Sequence, residues 1–240
     1  MGFKIRPPRT TPEERTYSEI LEAAGHRVRN VSKAGVTLRE AFGLLDDEVL
    51  TFFPDVVILN HGVVEVCYRR NFRSTNNTAI SNVYLNPIFR RQYEFVSSSG
   101  FKAINIACRA LNWSIRTSAK TLGLKWPWMR KELFMEVVKA TCELIRKETN
   151  AHIFILGITP CSARVERLLS GSSTQIAATN QLLRNYCSNA GPRIRFIDVE
   201  RFIIEADLPK VAPDGVHFSA AGHRLVAHHL LRAVEGNEEE

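Results

Sequence analysis

What is scarce in this sequence narrows it first. No apolar run approaches the roughly 20 residues that a bilayer-spanning helix needs. The first residues, Met1-Gly2-Phe3-Lys4-Ile5-Arg6-Pro7-Pro8, hold no apolar core of a secretory signal. The Met-Gly start also lacks the Ser or Thr that a myristoylation site wants, because Arg6 stands there. Cysteine is sparse: Cys67, Cys108, Cys142, Cys161 and Cys187 are scattered, odd in number and without paired metal spacing. They predict reduced thiols and a cytoplasmic setting, with no disulfide framework and no metal. Missing too is any run of Lys and Arg interleaved with aromatics. The formal charge of +7 therefore reads as a basic solvated surface, and neither nucleic acid nor membrane is expected as a partner.

What is present belongs to an ordinary globular domain. A hydrophobic content of 45% with 24% charged residues excludes disordered and fibrous classes. Val56-Val57-Ile58-Leu59 is an unbroken apolar run between Pro54-Asp55 and Gly62 and predicts a buried strand. Ile153 to Leu156 before Gly157 repeats the pattern, Ile194 to Ile197 is a shorter case, and Arg27 to Val31 is a β-rich stretch after Gly25. Helical spacing runs through Lys131–Lys147, Thr174–Asn189 and Ala220–Val234, and a first helix is expected from Pro12 with Thr11 as its cap. Alternating strands and helices predict an α/β fold with a parallel sheet covered on both faces. With no repeat and no linker, residues 1–240 read as one domain. Residues 69–128 form an irregular insertion or lid, and residues 235–240 an acidic tail.

The most specific stretch is Asp214-Gly215-Val216-His217-Phe218-Ser219-Ala220-Ala221-Gly222-His223. A carboxylate three residues before a histidine, in a turn leading into a helix, can hold the imidazole in one tautomer and stabilise its protonated form. That is what a general base requires. Asp214 and Ser219 could equally be caps of the final helix, with His217 incidental.

This stretch resembles the last block of the SGNH/GDSL-like hydrolases, in which an Asp and a His serve a nucleophilic serine just before the C-terminal helix. Other blocks resemble that superfamily in order and spacing. Asn30-Val31-Ser32-Lys33-Ala34-Gly35 is similar to the block whose glycine, here Gly35, donates an N–H to the oxyanion. Asp55 to Gly62 with Glu65 resembles the strand that ends in a Gly-x-Asn-Asp type sequence, Ile155 to Pro160 the fourth strand and its loop, and Asn180-Gln181-Leu182-Leu183 a helix before the fifth strand. The resemblance implies a three-layer α/β/α, flavodoxin-like fold. It also implies a serine hydrolase acting on an ester or O-acyl group, such as an O-acylated sugar, with no cofactor.

The chain departs from the superfamily at two places. Val64 stands where an asparagine donates to the oxyanion, and losing one such donor costs about 10²–10³ in rate. Glu65 with Arg69 resembles branches that carry an acid and a downstream arginine there, and Asn60 or His61 is a candidate replacement donor. At the N-terminus, Met1 to Arg15 holds neither an apolar run nor a serine, where the superfamily has a buried strand followed by Gly-Asp-Ser or Gly-Glu-Ser. Ser18 resembles a helix-surface residue of the next element. In the strand order 2-1-3-4-5 the first strand lies between the second and third, so its absence leaves two ladders facing a gap. An upstream extension, a strand-supplying partner or a decayed relative would each account for it. The extension is favoured, because Met1-Gly2-Phe3 fits directly after a Gly-x-Ser turn. The chain is thus expected to supply His217 as base, Asp214 as its orienter and Gly35, Asn60, Glu65 and Arg69 around the oxyanion and substrate, and to be inactive by itself. A non-catalytic SGNH-like binding domain is the alternative. Oligomeric state is left open.

Overall fold

The computed structural model describes residues 15–32, 36–69, 126–127, 129–206, 211–212 and 217–236. Its strands, in chain order, are β1 (Val56–Leu59), β2 (Tyr68–Arg69), β3 (Trp126–Pro127), β4 (His152–Leu156) and β5 (Ile194–Ile197). Its helices are α1 (Tyr17–Ala23), α2 (Leu38–Phe42), α3 (Val63–Val66), α4 (Lys131–Glu148), α5 (Ala163–Leu168), α6 (Ser172–Asn189), α7 (Val199–Glu205) and α8 (Ala220–Glu235). The three apolar runs pair in parallel in the order β1-β4-β5, with Val56 opposite His152 and Ile153 opposite Ile194.

Side chains alternate across this sheet, as the period of two in a strand demands. Val57, Leu59, Ile153, Ile155 and Ile194 point to one face and pack with Leu38 of α2, Val138 and Ile145 of α4 and Leu183 of α6. Phe154, Leu156 and Ile197 point to the other and meet Leu21 of α1, Ile203 of α7 and Leu230 of α8. Helices cover both faces, so the α/β layering expected from the sequence is what the chain adopts. Each of these buried side chains contributes about 1.5–3 kcal/mol to the folded state.

Two expectations need correction. The stretch Arg27–Val31 belongs to no ladder. A strand exists by virtue of a partner, and a cavity separates this segment from β1. The segment is held instead from its flank, by the Arg29–Glu48 ion pair at 2.8 Å and by Arg27 donating to the Phe52 carbonyl at 3.2 Å. The first helix does not run unbroken from Pro12, because Thr16 has extended backbone and is itself the N-cap of α1. Its side chain accepts from the Glu19 amide while Glu19 reaches back to the Thr16 amide at 2.7 Å, a complete capping box. Thr11 and Pro12 lie outside the described residues.

The insertion is pinned at both ends. β2 and β3 pair antiparallel, Tyr68 opposite Pro127 and Arg69 opposite Trp126, so the chain leaves and re-joins the domain at one point.

Candidate active site

A cavity of about 480 Å³ lies at the β1 edge of the sheet. At the C-terminal end of β1 its wall is made by Asn60, His61 and Gly62, joined by Thr159 from the loop after β4, Tyr17 from α1 and Phe218 from the turn before α8. In open α/β sheets the crevice beyond the carboxyl ends of the strands is where ligands bind. Gly62 is obligatory in this wall. Its φ of 122° is one that side chains rarely adopt, and an added Cβ would lie 2.5 Å from the Ile158 side chain.

Glu65, in α3, is 1% exposed and ties two of the loops together. One carboxylate oxygen accepts the Leu38 amide of α2 at 2.6 Å, and the other accepts the Gly62 amide at 3.0 Å. Burial raises its pKa above the usual carboxylate range. His61 stands 3.9 Å away, and burial lowers its pKa to about 4, so this imidazole is neutral near pH 7.

Asn60 donates to the Tyr17 hydroxyl at 3.3 Å. The Tyr17 amide in turn donates to Nδ1 of His223 on α8 at 3.3 Å. With Nδ1 accepting, the proton of a neutral His223 sits on Nε2, which is buried and has no partner among the described residues. Burial holds the pKa of this ring at about 4.

His217 rides on a pinched loop. The Ser219 amide donates to the Val211 carbonyl at 2.8 Å, so the chain between them starts and ends at one place. Gly222 lets α8 approach that carbonyl closely, since a Cβ there would collide with the Val211 oxygen. Phe218 is buried in the core beside α8, and Ser219 caps the helix by accepting the Gly222 amide at 3.2 Å. His217, half-buried, is therefore fixed from the residue that follows it.

Of the residues singled out in the sequence, Asn60 and Glu65 line the cavity, and His217 directly precedes Phe218, which also lines it. Asp214 and Gly35 lie outside the described residues, and for Arg69 and Val64 only the backbone place, in β2 and α3, is described. Ser18, read in the sequence as a helix-surface residue, is instead buried near the start of α1 and lines the cavity, with Asn30 donating to its hydroxyl at 3.0 Å. Cys67 and Cys161 do not line the cavity; a hydrogen bond from Cys67 draws the Cys161 thiol below its ordinary range. Among the described residues, no group of three or more His, Cys, Asp or Glu is arranged to hold a metal. No helix among them is long and apolar enough to cross a membrane.

The sequence reading placed Asn180 in a helix before the fifth strand but did not reveal its role. Asn180 of α6 clamps the loop after β4, its side-chain oxygen accepting the Ile158 amide at 2.7 Å and its NH₂ donating to the Ile158 carbonyl at 3.0 Å and to Glu200 at 2.9 Å. An amide among the apolar positions of a helix is the signal that could have found it.

Comparisons with known proteins agree on the scaffold. An α/β hydrolase from the metagenome of Lake Arreo superimposes with a TM-score of 0.57 at 15% identity, covering 93% of this chain and 83% of that one. A GDSL-like lipase from Bacteroides thetaiotaomicron gives a TM-score of 0.56 at 14% identity over 93% and 82% of the two chains. A catalytic mutant of an acetylxylan esterase from Geobacillus stearothermophilus gives 0.51 at 15% identity over 97% and 88%. No curated protein matches by sequence. The profile of the GDSL-like Lipase/Acylhydrolase family matches residues 6–225, and with that span this chain belongs to the family.

Proposed function

We propose that this chain carries the base of an ester or O-acyl hydrolase that works through a nucleophilic serine. The observation that carries this reading is His217, half-buried directly before Phe218, which lines the cavity at the carboxyl end of β1. His217 removes the proton from the incoming serine hydroxyl as its oxygen attacks the acyl carbonyl. Asp214 orients the ring and stabilises the imidazolium. The Gly35 amide receives the developing oxyanion, and Asn60 serves as the donor that Val64 lacks. Collapse of the tetrahedral adduct expels the alcohol, which takes the proton from His217. Water, deprotonated by the same ring, then releases the acid and regenerates the serine. Acetylxylan esterases among the structural relatives favour O-acylated sugars as the substrate class.

Chain as it stands is expected to show no serine-dependent hydrolysis of p-nitrophenyl acetate. Extending it with a strand ending in Gly-Asp-Ser confers turnover, and His217→Ala in that extended chain lowers kcat by on the order of 10⁴–10⁶. Turnover that survives this substitution overturns the assignment. Val64 favours a second reading, a binding domain without chemistry, which predicts that a serine-directed phosphonate leaves the extended chain unlabelled.

A further inference from the structure

Scattered in the sequence, the four cysteines among the described residues are gathered by the fold into two neighbouring pairs. Cys142 of α4 and Cys187 of α6 are buried in one apolar core, where Tyr186 hydrogen-bonds to Cys142. Burial pushes the Cys142 thiol up to about 11 and the Cys187 thiol up to about 12. The thiolate is the reactive form of cysteine, so thiols held protonated in this way are inert packing.

Cys67 and Cys161 are arranged differently. Cys67 is buried at the end of α3, directly before β2, and Cys161 is half-buried in the loop after β4, directly before the Ser162 cap of α5. The two thiols are hydrogen-bonded, Cys67 donating and Cys161 accepting, which draws Cys161 below the ordinary thiol range although burial and Glu166 oppose it. Both backbones are held firmly. Ile158 is clamped by Asn180 through its amide and its carbonyl, and the Gly62 backbone runs against the Ile158 side chain. On the other side α3 is fixed by the two bonds of the Glu65 carboxylate, while the Glu65 carbonyl accepts the Met129 amide at 2.8 Å. One thiol of this pair is thus open to solvent and the other is shielded behind it. That is the division of labour between a thiol that meets an oxidant and one that resolves the product.

We propose that Cys161 is a modification site for hydrogen peroxide and that Cys67, in contact with it, converts the product into a reversible disulfide. The Cys161 thiolate attacks one peroxide oxygen, the O–O bond breaks, and the departing hydroxide takes up the proton that Cys161 released and leaves as water. Cys161 is then a sulfenic acid. The Cys67 sulfur attacks the Cys161 sulfur; the S–S bond forms, the S–O bond breaks, and the hydroxyl leaves with the Cys67 proton as a second water. Two thiols and one hydrogen peroxide give one disulfide and two waters, the sulfurs supplying the two electrons that reduce the peroxide. Exchange with an external dithiol restores both thiols and leaves that dithiol as a disulfide. The bond ties α3, whose Glu65 lines the cavity, to the loop that contributes Thr159 to the same wall. None of this depends on ester chemistry, so the proposal stands or falls apart from the function above.

Peptide mapping of the intact chain tests it, because trypsin leaves each cysteine on its own peptide: residues 40–69 carry Cys67, 103–109 Cys108, 140–146 Cys142, 148–164 Cys161 and 185–193 Cys187. After brief exposure to hydrogen peroxide and alkylation of the remaining thiols, peptide 40–69 is recovered linked to 148–164, and dithiothreitol separates them. Cys142 and Cys187 are recovered alkylated. Without peroxide, iodoacetamide at pH 7 modifies Cys161 faster than Cys142 or Cys187 by on the order of tenfold. Cys67→Ser abolishes the linked peptide and lets dimedone trap a sulfenic acid on Cys161, whereas Cys161→Ser leaves Cys67 reduced. The proposal is overturned if peroxide links either cysteine to Cys108 or to a second chain instead. It is also overturned if dimedone labels Cys161 of the unaltered chain with no linked peptide formed, or if Cys67 is oxidised as fast in Cys161→Ser as in the unaltered chain. Mapping of the unaltered chain decides the matter even where a variant does not fold.

Discussion

Glu65 accepts one amide on each of its two oxygens, from Leu38 and from Gly62. Glutamine has a single acceptor oxygen, so Glu65→Gln sets an NH₂ group against one of these buried amides. The expected loss is about 1–3 kcal/mol in urea unfolding, with the Leu38 or Gly62 amide resonance shifted. Replacing both contacts with a well-packed Leu would not restore them. The acid stood out in sequence as part of a substrate-facing pair with Arg69. That its oxygens close on the backbone depends on Leu38, brought in from 27 positions away, and no local pattern announces such a contact. Asn180 is the same case in a helix. Asn180→Leu breaks the clamp on Ile158 and is expected to cost about 2–3 kcal/mol, read as a lower Tm.

His223 gives the molecule a pH dependence of definite sign. Its folded pKa, about 4, lies below the ordinary histidine value of 6.5. Between these limits the unfolded chain binds the proton and the folded one does not. Stability is therefore complete above pH 6.5 and falls as the pH drops towards 4, by roughly 3 kcal/mol for the full shift. Asn keeps an acceptor for the Tyr17 amide and does not titrate, so His223→Asn should flatten the slope of urea midpoint against pH in this window. An unchanged slope would mean that other groups carry it.

Elements were legible where a periodic pattern and its partner lie in the same stretch of reasoning. The run Val56–Leu59 became β1 with the expected bounds, and the helices over Lys131–Glu148, Ser172–Asn189 and Ala220–Glu235 differ from expectation only at their ends. Arg27–Val31 carries strand composition, but composition cannot supply a ladder partner. The start of α1 was misplaced because two caps compete in one region. Thr11-Pro12 has the residue types, whereas Thr16 with Glu19 has the reciprocal spacing, and the spacing prevailed. The same logic applies to α8. Ser219→Ala removes its cap and is expected to cost about 1 kcal/mol. Gly222→Ala instead presses α8 away from the Val211 carbonyl and opens the base of the loop that carries His217. In the extended, active chain it should lower kcat more than its stability loss explains, as measured beside a thermal melt.

At the scale of the whole molecule, the sheet divides the interior into two apolar cores, one under α2, α4 and α6 and one under α1, α7 and α8. Both were foreseeable from alternation along the strands. The candidate site was legible in part: Asn60 and the His217 turn could be picked out, because a superfamily block marks them. That β1 is the last strand of the sheet among the described residues was foreseeable only through the strand order that the resemblance implies.

The two-residue ribbon of β2 and β3 has a consequence for diversification. The excursion between Arg69 and Trp126 begins and ends within a single pair of hydrogen-bonded residues, so its length is a free parameter of the scaffold. Closure entropy grows only by about 0.6 kcal/mol per doubling of a loop. A longer or shorter excursion can therefore be joined at this ribbon while the sheet and its two cores stay where they are.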